Sequence, residues 1–240
     1  ARWETRSHGE SRYVRIASDL MEDEFAIYYA TEEIIQDAPL LGAMASRAFA
    51  TAMLFKVENS IIRGTGAGQP MGILTGPGLV TVNKEAGQAN GTLLVENILK
   101  MWARCLEPYR QNAVWFINQA IEPQLYGMGI TFGTGGQAVF MPAGTIAGQP
   151  FSTLMGRPIV TVPYCSALGV VGDIILADLG RYMLIDKALR SDQSMHVRFL
   201  NDEQTFRFIY PVDGQPMDHS AITPFKGTDT LSPTVTLAAR

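Results

Sequence analysis

Cysteine is scarce: Cys105 and Cys165 are the only two in 240 residues. One falls in an apolar helical stretch and the other in the segment VPYCSALG, which suits reduced thiols in a cytosolic protein rather than a disulfide framework. Long apolar runs are missing too. None approaches the roughly 18 residues of a membrane-spanning helix, and the opening ARWETRSHGE is polar, with no apolar core behind it. The sequence therefore reads as neither secreted nor membrane-bound. A basic excess is also lacking, with Lys+Arg 19 against Asp+Glu 23 and a net charge of -4. Sequence-independent nucleic-acid binding needs a dense basic surface, so any contact with DNA is weak and non-specific. Histidine is sparse. His8, His196 and His219 stand singly, with no H-x-x-x-H and no neighbouring cysteine pair to make a zinc site. The signature of disorder is absent as well: 47% of the residues are hydrophobic and 18% charged, enough for one large domain or two modest lobes with real cores.

The motifs that carry chemistry are equally thin. Gly64, Gly66 and Gly68 form a G-x-G-x-G, but they follow a predicted helix, whereas a dinucleotide fingerprint needs a strand before it and a helix after it. A turn is the better reading. No G-x-x-x-x-G-K-[ST] occurs, since Lys226 is followed by Gly227. Asp218, His219 and Ser220 are triad residue types, yet they are sequence neighbours, and adjacent side chains do not normally face one another. The acidic clusters Glu22-Asp23-Glu24 and Asp202-Glu203 have no cleft-forming context for paired-acid hydrolysis. They read as solvated turns or as interfacial partners for arginine. No catalytic, cofactor-binding or metal-binding residue is assigned, and no cofactor is expected.

What is present is a particular order of elements. Residues 11–30 alternate and then become FAIYYA, which predicts an exposed ribbon turning into a buried strand. Thr31-Glu32-Glu33 and Asp37-Ala38-Pro39 give helix-start chemistry. The helix then runs over 40–62, roughly 23 residues or about 35 Å, and ends where Arg63-Gly64 supplies a cation and a cap. Only Arg47, Lys56 and Glu58 ionise along it, while Leu41, Met44, Ala48, Ala52, Phe55 and Ile62 recur at helical spacing. Most of its circumference is therefore expected to be covered, with Phe55 in the core and Ala45, Ala48 and Ala52 allowing close approach. The glycine- and proline-rich stretch 64–78 is a structured loop and the natural lobe boundary. A second amphipathic helix is predicted over 93–107, stopped by Pro108, then a buried strand AVWFIN and a short helix over 121–128. A glycine-rich loop follows at 127–136, then a buried strand RPIVTVP. From Gly172 onward DIILADLGRYMLIDK, SMHVRFL and TFRFIYPVDG predict extended antiparallel strands. The class is α+β.

That order resembles the major capsid proteins of tailed bacteriophages of the Hong Kong 97 type. The run YYATEEIIQDAPLLGAMASRAFATAMLFKVENSIIRGTGAGQPMGIL is similar to the family's passage from extended loop through spine helix. It closes on Gly64-Thr65-Gly66 and on Gln69-Pro70-Met71-Gly72-Ile73-Leu74. VWFINQAIEPQL resembles the strand-to-helix step of the axial domain, with Asn118 after the strand. GRPIVTVPYC resembles the "Gly-x-Pro-Val" strand, VVGDIILADLGRYMLIDK the "Gly-Asp-x-x-x-Tyr" strand, and NDEQTFRFIYPVDGQP the closing strands. The likeness covers most of residues 20–220.

The resemblance implies a Hong Kong 97-like capsid fold with a long spine helix, peripheral strands and a mixed axial domain. Residues 1–30 would be a partial extended loop and return strand, 31–64 and 174–210 the peripheral domain, and 65–173 and 211–240 the axial domain. It implies a shell subunit that self-assembles into pentamers and hexamers to enclose a genome, in a virion capsid built in the bacterial host cytoplasm. Partners would be other copies, with scaffolding protein, maturation protease, portal and decoration proteins, and no membrane. Because Ala1 opens in mid-pattern, further residues are expected upstream, where the family carries an N-terminal arm. Arginine outnumbers lysine 14 to 5, which suits bidentate pairing across wet interfaces. Arg2, Arg6, Arg12 and Arg15 beside Glu4 and Glu10 would make the opening ribbon a zipper to a neighbour. The same resemblance extends to bacterial encapsulin compartments. The alternative of another class is a soluble small-molecule-binding enzyme using the glycine-rich loops 64–78 and 127–136.

Overall fold

The computed structural model describes residues 23–31, 40–132, 135–138, 140–141 and 152–240. In chain order the strands are β1 (Asp23–Thr31), β2 (Val80–Val82), β3 (Val114–Ile117), β4 (Gly129–Phe132), β5 (Gly135–Ala138), β6 (Phe140–Met141), β7 (Thr153–Leu154), β8 (Arg157–Thr161), β9 (Ile174–Ala177), β10 (Tyr182–Asp186), β11 (Arg190–Arg198), β12 (Glu203–Pro216) and β13 (Thr234–Leu237). The helices are α1 (Leu40–Arg63), α2 (Val95–Arg104) and α3 (Glu122–Tyr126). The opening ribbon 11–22 and the helix-start residues 32–39 lie outside the described residues.

Helix α1 is 24 residues long, unbroken because no proline occurs within it. Its last turn closes through the Gly64 N–H donating to the Ser60 carbonyl at 2.8 Å. The apolar side chains do not share one face: Met53, Val57 and Ile62 are buried, whereas Met44, Leu54 and Phe55 are 62%, 59% and 53% exposed. The expectation that Phe55 is core is therefore corrected. Its ring sits at the rim, edge-on to Tyr164 with centroids 4.7 Å apart.

A four-stranded antiparallel sheet is organised on the 14-residue β12. Its residues 203–211 pair with β1, while β10 and β11 pair with it as well. Opposed residues in an antiparallel pair share a face. Tyr28 opposite Phe206 and Ala26 opposite Phe208 thus face one way, and Phe49 of α1 covers them, stacked on Phe208 at 4.9 Å and edge-on to Tyr28 at 6.0 Å. The other face carries Phe25, Ile27 and Tyr29, which are 66%, 43% and 41% exposed. FAIYYA is thus a half-exposed strand rather than the buried one expected, because α1 covers only one side of it.

A seven-stranded mixed sheet holds the main core, in the order β2-β13-β9-β3-β8-β7-β6. Alternation along β3 and β9 sends Trp115, Ile117, Ile174 and Leu176 to one face, where Ile98 and Met101 of α2 join them. Phe116, Ile175 and Ala177 face the other way, toward Ile62, Ile73, Tyr164 and Cys165. The Trp115 Nε1–H donates to the Leu154 carbonyl at 3.0 Å, so the largest core side chain has its polar atom satisfied.

Several boundaries differ from expectation for identifiable reasons. Helix α2 ends at Arg104 rather than at Glu107, because the next residues pair with the C-terminal segment: Ser232 N donates to Arg104 O at 3.1 Å and Leu106 N to Ser232 O at 3.2 Å. The expected helix 121–128 is a 3-10 turn Gln119–Ile121 followed by α3. Asn118 caps that turn by accepting from the Ala120 N–H at 3.0 Å. The glycine-rich stretch expected as a loop contains the β4–β5 hairpin. In β8 Val160 is 42% exposed, so RPIVTVP is not a buried strand. DIILADLGRYMLIDK is two strands in two sheets, divided at Leu179–Arg181, where Asp178 accepts from the Gly180 N–H at 2.9 Å.

Candidate functional site

The glycine motif is a buckle. After α1 the chain doubles back so tightly that a Cβ on Gly64 would lie 1.8 Å from the Pro70 carbonyl oxygen, and one on Gly72 would lie 2.6 Å from the Gly64 nitrogen. The N–H groups of Gly72, Ile73 and Leu74 donate to carbonyls of Gly64, Ile61 and Ile62 at 2.8, 2.8 and 3.1 Å. Met71 docks on β12: its N–H donates to Gly214 O at 2.7 Å, and its carbonyl accepts from Tyr182 Oη at 3.0 Å. These amides are engaged within the protein rather than presented to a phosphate.

The other sequence candidates are separated from one another. Asp218 takes Arg181 in a bidentate pair, Nε to Oδ2 at 3.1 Å and Nη2 to Oδ1 at 2.9 Å. His196 and His219 are exposed, and His8 lies outside the described residues. Glu203 pairs with Arg198 of its own chain at 2.9 Å. Glu22 and the side chains of Asp23 and Glu24 lie outside the description. Among the described residues no group of three or more His, Cys, Asp or Glu is arranged to hold a metal. Cys105 and Cys165 are buried free thiols. Burial pushes them up to about 11 and about 12, far from the range of a reactive thiolate.

Polar groups concentrate instead where α1 meets the seven-stranded sheet. Tyr164 Oη donates to Glu58 Oε2 at 2.6 Å. Arg63 donates from Nε to the Tyr164 carbonyl and from Nη2 to Ser166 Oγ. From the sheet side Asn118 Nδ2 donates to the Cys165 carbonyl at 2.9 Å. Burial, reinforced by the Glu58 carboxylate, pushes the Tyr164 phenol up to about 12, so it stays a donor at neutral pH. Nothing in the sequence reading singled out Tyr164. Its partners Glu58 and Arg63 lie about a hundred residues away, and no periodicity connects them.

The outward-facing features of the described residues are an apolar strand tip and an open apolar groove. Between Ser194 and Arg198 the β11–β12 ladder slips into a bulge, a device that re-aims side chains. Met195, Val197, Phe199 and Leu200 there are 59%, 67%, 73% and 97% exposed. Asp202, in a left-handed conformation at φ 56, turns the chain back into β12. The tip is held to β1 by Arg198, whose guanidinium lies 3.9 Å from the Tyr29 ring centroid, close enough for a cation–π contact. An apolar groove of about 370 Å³ runs between α1 and the strands, lined by Met53, Leu54, Val57, Leu184, Leu189 and Tyr210 among others. The sequence marks these residues as strand or helix formers. Their exposure is decided by what the chain leaves uncovered.

No curated protein sequence matches this chain. Its fold is found in solved capsids. The capsid of a native GTA particle computed with C5 symmetry superposes with a TM-score of 0.71 at 16% identity, covering 99% of this chain and 82% of that one. The Gordonia phage Cozz structure gives 0.59 at 12%, covering 100% and 79%. The holo-SrpI encapsulin complex from Synechococcus elongatus PCC 7942 gives 0.59 at 11%, covering 90% and 72%. At the level of sequence, residues 10–227 match the model of the phage capsid family. The Hong Kong 97-type fold expected from the sequence is the one observed, and the chain belongs to the phage capsid family as a structural shell subunit.

Proposed function

We propose that this subunit forms the wall of a bacteriophage head, packing as pentamers and hexamers that enclose the genome and assembling in the host cytoplasm. The observation that carries this reading is the apolar exposure found among the described residues. Phe25, Ile27 and Tyr29 on one sheet face, and Met195, Val197, Phe199 and Leu200 at a strand tip, stand in water in the single chain. Contiguous apolar surface of this kind marks a protein contact. The four-stranded sheet with α1 would be the peripheral part. The seven-stranded sheet would be the axial part, and it takes in β9, which the sequence reading grouped with the periphery. The work of the protein is distributed over surfaces, with no catalytic, cofactor or metal residue assigned. Scaffolding, protease, portal and decoration proteins are the expected partners besides further copies, and contact with packaged DNA is weak.

Negative-stain microscopy and sedimentation of the full-length gene product test this. Shells, capsomers or sheets are the expected result, and a small discrete particle would favour the enzyme alternative. Leu200→Asp is expected to impair assembly while leaving the subunit folded, because a charge at a 97% exposed position meets nothing within its own chain. The likeness to the SrpI encapsulin gives the second reading, a cargo compartment. A defined protein cargo in place of nucleic acid in purified particles would favour it.

A further inference from the structure

Helix α1 touches two different bodies of the fold. Its first half lies on the four-stranded sheet through Phe49 and Phe208. Its last turns instead meet the loop 163–166. Phe55, Glu58 and Ile62 recur at spacings of three and four and so share one helical stripe; Phe55 and Glu58 contact Tyr164, and Ile62 belongs to the same buried cluster as that tyrosine. The loop is in turn part of the seven-stranded sheet's framework: Val162 N donates to Ile117 O at 2.9 Å and Ser166 N to Gly172 O at 2.9 Å. Tyr164 therefore joins the helix to the sheet.

The two halves of this joint differ in character. Ile62 and the body of the tyrosine ring are buried, the latter in a residue only 8% exposed. The Tyr164–Glu58 hydrogen bond lies at the rim, where Glu58 is exposed and Phe55 is 53% exposed. Opening that bond would free the rim of the joint, with Ile62 in the buried cluster and the Arg63 bonds to the loop left as its pivot. A shell built from one chain must set this kind of angle, because a small rotation between two parts of a subunit, repeated by symmetry, decides whether its contacts close and at what radius.

We propose that Tyr164 and Glu58 form a latch that fixes the angle between α1 and the seven-stranded sheet, and thereby the curvature to which copies assemble. The inference rests on the shell reading above. Both are positioning residues, acting through the orientation of α1.

The test uses the full-length chain with Tyr164→Phe, Glu58→Ala and Glu58→Gln. Tyr164→Phe keeps the ring and loses the donor. Glu58→Ala removes the acceptor from an exposed position, so folding is retained even if the tyrosine variant folds poorly. Glu58→Gln keeps an acceptor oxygen. Loss of the bond should shift the closed-to-open ratio roughly tenfold, read as faster amide hydrogen exchange at residues 164–166 in the unassembled subunit. Particles of Tyr164→Phe and Glu58→Ala should spread in diameter or grade into open sheets, while Glu58→Gln restores the wild-type diameter. Uniform particles of wild-type diameter from both disrupting variants would overturn the latch, whatever the exchange rates. Failure of the wild-type chain to assemble at all would overturn the shell reading itself, and the two failures are distinguishable.

Discussion

Arg240 and Asp173 form a bidentate ion pair with no solvent exposure on either side chain, Nη2 to Oδ2 at 2.6 Å and Nη1 to Oδ1 at 3.2 Å. The carboxylate also accepts from the backbone N–H groups of Gly169 and Ile174 at 2.9 and 2.7 Å, and Arg240 Nε donates to the Thr92 carbonyl. A buried pair is costly to break because the survivor keeps a charge away from water. Arg240→Ala is expected to lower subunit stability by about 3–5 kcal/mol, measured by urea unfolding. Arg240→Lys should lose part of this, since an ammonium does not reproduce the two parallel bonds of a guanidinium.

The buckle after α1 predicts a sharp positional difference among glycines. Gly64→Ala drives a Cβ into the Pro70 carbonyl and should cost several kcal/mol, on the order of the strain and overpacking losses seen in cores. Gly68→Ala meets open space and pays only for φ +69, about 1 kcal/mol. Thermal melts of the two variants give the comparison. Calorimetry with ATP, GTP, NAD and FAD should be flat, and a micromolar affinity lost in Gly66→Val would refute the buckle reading.

Phe55 is half exposed and packs edge-on to Tyr164. Phe55→Ala should therefore cost about 1 kcal/mol, the scale of an aromatic pair beyond burial. Trp115, fully buried with its N–H bonded to Leu154, should cost about 3–5 kcal/mol or more on truncation to alanine. Equal losses at the two positions would contradict the packing.

Thiol titration gives a pH prediction. Both cysteines are raised from 9.0, to about 11 and about 12, and Tyr164 and Tyr210 from 10.0 to about 12. Groups whose folded pKa is raised bind protons more tightly when folded, so their contribution is fully present below the unfolded value. It is lost as pH rises from about 9 toward 12. Unfolding midpoints should accordingly fall across that window. At pH 8 a disulfide reagent should label neither thiol in the native subunit and both after denaturation.

Some members of this family weld neighbouring subunits through a lysine-to-asparagine isopeptide bond, with the lysine on the extended loop. Residues 1–30, which by the resemblance cover only the returning side of that loop, contain no lysine, and the five in the given sequence are Lys56, Lys84, Lys100, Lys187 and Lys226. Lys56 lies on α1 and Lys100 on α2, where it is paired with Glu85 at 2.6 Å. Arginine does not substitute, because its guanidinium stays protonated. Mature particles should dissociate to single chains in boiling detergent and loosen as salt screens exposed pairs. A ladder of covalent multimers on a denaturing gel would contradict this, unless mass spectrometry traced the bond to a lysine upstream of Ala1.

Elements whose causes are local were legible in the order of residues alone. The extent of α1 follows from the absence of proline and from Arg63-Gly64. The short strand VWFI, the Asn118 cap after it and the turn chemistry of the 64–78 loop follow from neighbouring residues, and so does the absence of a dinucleotide fingerprint. The order of these elements was enough to show the family resemblance. Tertiary structure alone decided which apolar residues are inside. Phe55 and Phe25 carry the same hydrophobicity as Phe116 and Phe208, but only the latter two are covered, because coverage depends on which element arrives from elsewhere in the chain. Where α2 ends was set by Ser232, distant in sequence, and the splitting of DIILADLGRYMLIDK by the two sheets it serves. Arg240–Asp173 and Tyr164–Glu58 join residues 67 and 106 positions apart. Local propensity and periodicity extend over a turn or two of chain, and neither reaches across such distances.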